Sequence, residues 1–314
     1  MARSVGCRFL PLVMMIAVAV LAVGRPSQAV RSPHDGKAAG GGLTVFAAAS
    51  LKEAFTTIGA QFEVHDREKV TFNFGGSDEL VTQIAQGAPA DVFASANLTQ
   101  MKIAQDKGLI ASRPAVFVRN RLVVIVPRNN PGHVYRLPDL GRPGVRLVLA
   151  APQVPAGKYA RAALAAMARA AVFGPRFLTR VMANVASNET DVKAVVAKVV
   201  LGEADAGVVY VTDVTAQVAP HVRTIAIPAR FNQIAQYPIG VVAGSRNPAL
   251  ARTFVAYVLS PAGQSVLRRS GFIPGVRRLA SGVRAVPWDQ AERRMPNAER
   301  LHGAPGAATV VGTP

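Results

Sequence analysis

From Leu43 onward the chain alternates short apolar runs with segments of helical spacing, and this alternation narrows the possible folds more than any other feature. "LTVFAA" (43–48) reads as a buried strand. After it, Leu51, Ala54, Phe55, Ile58 and Phe62 recur at helical intervals. "VTFNF" (70–74) is a strand, Leu80, Val81 and Ile84 mark a helix that stops at Gly87, "DVFAS" (91–95) is a strand, and 97–107 is a helix. "RLVVIVP" (121–127) and "VRLVLAAP" (145–152) are strongly apolar strands. Helices are expected over 156–170 and 174–185, and helix, turn and strand over 191–210. "IGVVAG" (239–244) is a late strand, with helices at 247–259 and 261–269. Such a pattern predicts an α/β protein with parallel sheets and helices on their faces. Two units are expected, meeting near residue 120. The late strand has a natural home in the first, so that two segments would cross between them.

The ends of the chain have a different character. In "MARSVGCRFLPLVMMIAVAVLAVGRPSQA", Arg3 and Arg8 precede an apolar stretch at 9–24, and Ser27-Gln28-Ala29 is a small-x-small site. Residues 1–29 therefore read as a cleavable secretory signal peptide, and the apolar stretch is short for a membrane span. Residues 30–42 read as a flexible leader. Residues 275–314 are basic, rich in Pro and Gly and weakly periodic, and read as a disordered tail. Between them, the expected division is 43–120 plus 241–274 for lobe 1 and 121–240 for lobe 2. The single cysteine, Cys7, lies inside the leading peptide, so the mature chain would have no disulfide and no thiolate metal site. Net charge is +18, and loss of Arg3, Arg8 and Arg25 with the peptide leaves +15. That balance favours anions, but the arginines are scattered among Ala, Val and Gly and aromatics are sparse, which argues against nucleic acid.

In open α/β sheets, ligands sit beyond the carboxyl ends of strands, against helix N-termini. Those ends offer unpaired N–H groups and a partial positive charge, so they hold anions without a lysine or arginine. Four helix starts are small or hydroxylic: Ser50 after "FAAA", Ser77 after "FNFGG", "VPAG" (154–157), and "SNETDV" (187–192). Tyr210 adds a phenol at the end of the strand after the last of these helices. Each has a plainer reading. Ser50 with Glu53 fits a capping box, and Ser77 is a good N-cap followed by Asp78 and Glu79, which suit the helix dipole and are expected to point to solvent. A capping serine also serves two partners, accepting from a backbone N–H while its O–H donates to an anion.

Five segments, "VFAAASLKEAF", "GGSDELVTQIAQGAPADVFASAN", "VPAGKYARAAL", "DVKAVV…GEADAGVVYVTD" and "QYPIGVV", closely resemble the periplasmic molybdate-binding proteins of ABC importers, in order and spacing, over roughly 43–273. The resemblance implies a two-lobed periplasmic-binding-protein fold, each lobe a mostly parallel sheet flanked by helices, with a ligand cleft between lobes. It implies an oxyanion held by hydroxyls and backbone amides: Ser50 and Ser77 on the first lobe, Ala156, Val192 and Tyr210 on the second. Ala156 and Val192 would act mainly through N–H groups. Molybdenum would be bound only as the oxyanion. The implied partners are molybdate or tungstate and the membrane permease subunits of the importer, with the protein a periplasmic monomer that needs no cofactor.

Rival classes find less support. His34, His65, His133, His221 and His302 show no metal-like spacing, and neither G-x-S-x-G nor a P-loop occurs. Another oxyanion such as sulfate, or a non-transport role at the envelope using the tail, are the alternatives.

Overall fold

The computed structural model describes residues 42–275. The expected signal peptide, most of the leader and nearly all of the tail lie outside the described residues. The chain runs β1 (Leu43–Ala48), α1 (Lys52–Asp66), β2 (Val70–Gly75), α2 (Ser77–Ala85), β3 (Val92–Ala94), α3 (Leu98–Asp106) and β4 (Ala115–Asn120). It then passes into β5 (Leu122–Pro127), β6 (Leu147–Ala150), α4 (Pro155–Ala168), α5 (Phe177–Ala183), β7 (Val185–Glu189), α6 (Val192–Val200), β8 (Ala206–Tyr210) and β9 (Val222–Ala226). It returns through β10 (Ala235–Val241) to α7 (Pro248–Leu259), α8 (Pro261–Arg269) and β11 (Ile273–Pro274).

Two sheets result. One has the order β11-β4-β10-β3-β1-β2, the other β7-β6-β8-β5-β9. Both are mixed, not mostly parallel. β1 pairs in parallel with β2 and β3, and β6 with β7 and β8. The pairings of β10 with β3 and β4, and of β5 with β8 and β9, are antiparallel. The cause is the double crossing. β4 carries the chain out of the first lobe and β10 brings it back, so the two neighbours must run in opposite directions. The parallel half of each sheet is the half whose carboxyl ends lead into α1, α2, α4 and α6.

The expected lobe boundary at 240/241 falls within β10, which belongs wholly to the first sheet. Only "IGVVAG" carries a strong apolar signal there; the strand begins four residues earlier, at Ala235, with a bulge at Tyr237/Pro238. Strands β4, β7, β9 and β11 are additions to the expected set. β7 ("VASNE") and β9 ("VRTIA") are edge strands, and half-exposed polar positions dilute their apolar pattern.

Helix α1 shows why the periodic segments fold as they do. It buries Ala54, Phe55, Ile58, Gly59 and Phe62 on one face. Phe55 and Phe62 enter an aromatic cluster with Phe72, Phe117 and Phe254, ring centroids 5.2–6.4 Å apart. Burying such a side chain contributes about 1.5–3 kcal/mol, enough to pin the helix against the sheet. Its other end, toward Ser50, is thereby held in place.

Candidate ligand-binding site

The helix starts singled out in the sequence surround one small cavity, partly open to solvent. Its lining comes from Ala48, Ala49 and Ser50 before α1, Gly75, Gly76 and Ser77 at α2, Val154, Pro155 and Ala156 at α4, and Asp191 and Val192 at α6, with Ala96 and Tyr210. Ser50, Ser77, Ala156, Val192 and Tyr210 thus meet at one place. All five are at most 3 % exposed. No lysine or arginine lines the cavity.

Ser50 lies within a short 3-10 turn, Ala49–Leu51, between β1 and α1. The capping box with Glu53 does not form. The turn carries Ser50 past the extended backbone that an N-cap needs, and the N-cap position of α1 is Leu51, without a side-chain bond. Instead Ser50 Oγ is 2.9 Å from Tyr237 Oη. Asn120 Nδ2 donates to Thr212 Oγ1 at 2.8 Å and, at 3.5 Å, reaches the same Tyr237 oxygen. These residues sit where the two crossing strands pass, so Ser50 is anchored to the hinge.

Ser77 is the first helical residue of α2; the N-cap is Gly76. Ser77 Oγ accepts from the Ala96 N–H at 3.0 Å, which leaves its own O–H free to donate. A Cβ on Gly76 would sit 2.6 Å from the Thr190 carbonyl oxygen. The glycine therefore admits the other lobe as well as exposing backbone. Of the two acids that follow, Glu79 is exposed and accepts from Gln83. Asp78 departs from expectation. It is half-buried, with Oδ1 buried and unpartnered, and burial raises its carboxyl above the ordinary range against the pull of nearby backbone N–H groups.

On the second lobe, α4 begins at Pro155, which has no N–H, so Ala156 supplies the helix's first amide. No side chain caps this end. Gly157 packs so closely on the carbonyls of Ala150 and Ala151 that a Cβ there would collide with them. At α6, Asp191 is the N-cap, and its Oδ1 accepts from Lys193 N at 2.6 Å and Ala194 N at 3.1 Å. The amide of Val192, between them, is left over. These bonds tie Asp191 Oδ1 to the helix start, where the dipole favours a carboxylate.

Tyr210 ends β8. Its N–H donates to Asp213 Oδ2 at 2.9 Å, and its ring packs edge-on against Tyr237, centroids 5.8 Å apart. Its hydroxyl is buried without a hydrogen-bond partner. Burial first, then the neighbouring Tyr237, Tyr159 and Asp213, pushes this phenol well above the ordinary range, so it stays a neutral donor. A buried orphan hydroxyl costs about 1–3 kcal/mol, and it lines the cavity.

Lys193, Asp213 and Tyr237 were not picked out from the sequence, and Glu53 only as a capping partner for Ser50. Lys193 Nζ is 2.8 Å from both Glu53 oxygens and 3.3 Å from Asp213 Oδ1. The last contact is an ion pair without hydrogen-bond geometry, since that oxygen has no hydrogen-bond partner. Asp213 is fully buried, and desolvation raises its carboxyl to about 6 even though Lys193 and the Tyr210 N–H pull it down. Among the described residues, no group of three or more His, Cys, Asp or Glu is placed to hold a metal ion.

The arrangement is a set of neutral donors: hydroxyls and the free amides of several helix starts, facing each other from two lobes. Two α/β lobes joined by two strands around such a cavity define a solute-binding protein. The chain belongs to the bacterial extracellular solute-binding protein family, which it matches over residues 43–273. It is 39% identical over 259 residues to the molybdate-binding protein ModA of Mycobacterium tuberculosis, covering 82% of this chain and 94% of that one. Among solved structures, the substrate-binding domain of a putative molybdenum ABC transporter from Clostridium difficile superposes with a TM-score of 0.54 at 32% identity, covering 74% of this chain and 98% of that one. The sulfate-binding protein SubI of M. tuberculosis has a TM-score of 0.66 at 19% identity, covering 74% of this chain and 86% of that one, which shows the shared fold alone.

Proposed function

We propose that this protein captures molybdate, and tungstate with it, in the periplasm and hands it to the permease subunits of an ABC importer. The observation that carries the reading is the cavity itself, with two serines, an orphan phenol and free helix-start amides around it, and no cation. Molybdate is a tetrahedral dianion with acceptor oxygens only, so a donor-only site suits it. Ser50, Ser77 and Tyr210 give hydroxyls, and Ala156 and Val192 give amides. The names of the 39% and 32% identical relatives support the same ligand.

Each charge-assisted bond contributes roughly 1.5–3 kcal/mol, so several reach sub-micromolar affinity, about −8 kcal/mol or better. Phosphate carries a proton near neutrality, and that proton needs an acceptor which the donor set lacks. Sulfate is smaller and would leave donors out of reach. Tungstate matches molybdate in size and charge. The protein acts by binding and release, without catalysis or cofactor, as a monomer delivered by the signal peptide at 1–29.

Calorimetry of the mature protein with molybdate, tungstate, sulfate and phosphate tests this. Tight binding of the first two and weak binding of the others is expected. Sulfate bound as tightly as molybdate would overturn the assignment.

A further inference from the structure

We propose that Lys193 is a positioning residue that holds the occupied cleft shut, by joining Glu53 of the first lobe to the buried Asp213 of the second. The inference rests on the oxyanion reading above and adds to it a residue that never touches the ion.

Lys193 follows Val192 at the start of α6, and Glu53 lies three residues after Ser50 in the first turn of α1. The ammonium sits 2.8 Å from both Glu53 oxygens across the lobe boundary. On its own lobe it is 3.3 Å from Asp213, whose other oxygen accepts from Tyr210 N–H. One side chain thus connects the backbone segments that present Ser50, Val192 and Tyr210. No other cross-lobe contact at the rim pairs opposite charges among the described residues: Lys158 Nζ donates to Thr99 Oγ1 at 3.0 Å, and Gln100 Nε2 to the Gln153 carbonyl at 3.2 Å.

The burial of the three groups decides what the pair can do. An exposed Glu–Lys pair on its own contributes little. Here the Lys193 side chain is 23% exposed, Glu53 44% and Asp213 0%. When the lobes part, Glu53 leaves with α1, while Lys193 stays beside Asp213 on its own lobe. The contact with Asp213 lies within one lobe and does not depend on closure, so Glu53 meets an ammonium already positioned. Nothing in this contact resembles the transition into the cleft, which requires the lobes apart. It therefore slows release and leaves capture unaffected. Because the clasp does not touch the ion, molybdate and tungstate should feel it equally.

The experiment follows labelled molybdate leaving the full-length mature protein after a chase with excess unlabelled tungstate, with association rates measured alongside. Glu53→Gln should release about five- to tenfold faster, with association within about twofold of wild type. Lys193→Met should release at least as fast, and the double variant no faster than Lys193→Met alone, since both remove one interaction. Lys193→Arg should restore slow release. Glu53→Gln is half-exposed and should keep the wild-type unfolding midpoint, which separates retention from stability. Release from Glu53→Gln at the wild-type rate overturns the clasp while the oxyanion reading stands. Failure of the wild type to bind molybdate in calorimetry would remove that reading and this inference together.

Discussion

Tyr210 shows what a binding site demands of single residues. Its phenol is buried with no partner, so the ligand-free protein carries the cost of a desolvated hydroxyl. Tyr210→Phe should therefore make the ligand-free protein more stable, by about 1 kcal/mol in denaturant unfolding, while weakening molybdate binding by about 1–3 kcal/mol in calorimetry. A loss of both would mean that the hydroxyl has a partner within the protein. Asp213 makes a second residue-level case. Its folded-state carboxyl, at about 6, lies above the ordinary 3.8. Folding thus favours its protonated form. Its contribution is fully present below about pH 3.8 and is lost as pH rises through about 6. The unfolding free energy of Asp213→Asn relative to wild type should shift in the variant's favour by roughly 2 kcal/mol between pH 4 and pH 7.5. A flat difference would show that the carboxyl is not raised.

At the scale of elements, the site depends on how near the start of α2 comes to the turn between β7 and α6. Gly76 has ordinary extended angles (φ −61°, ψ 135°), so alanine fits its backbone. What alanine does not fit is the space, since its Cβ would lie 2.6 Å from the Thr190 carbonyl. Gly76→Ala should fold normally and hold the lobes ajar, weakening molybdate binding at least about tenfold in calorimetry with the unfolding midpoint little changed. Wild-type affinity would show that the lobes have slack there. These elements also mark what could be read from sequence. Strand ends followed by small or hydroxylic helix starts are local patterns, and Ser50, Ser77, "VPAG" and the start of α6 were legible for that reason. Ser50 with Tyr237 spans 187 positions and Glu53 with Lys193 spans 140. No local pattern encodes such pairs. The Ser50–Glu53 spacing even suggested a capping box, whereas both side chains are taken by distant partners. Edge strands β7 and β9 were hidden because half of each faces water.

For the molecule as a whole, charge and site have separate roles. The chain carries +18, yet no lysine or arginine lines the cavity, and the nearby Lys193 is occupied by two carboxylates. On the proposed reading, the surface field would attract a dianion from a distance and the neutral donors would hold it at contact. Association with molybdate should slow severalfold as salt rises from about 10 to 150 mM, as expected when a Debye length shrinks from about 30 to 8 Å. Release should change less, because contact-distance bonds are poorly screened. An association rate indifferent to salt would mean that the basic surface has no part in capture.

The placement of β10 has a bearing on how the polypeptide first acquires its shape. It lies between β3 and β4, so the earlier sheet has a gap at its middle until residue 235 and those after it arrive. The later sheet, drawn entirely from 122–226, has no such wait. Assembly should begin in the middle of the chain and end at its two flanks, with the slow step being a strand insertion spanning more than half the described length.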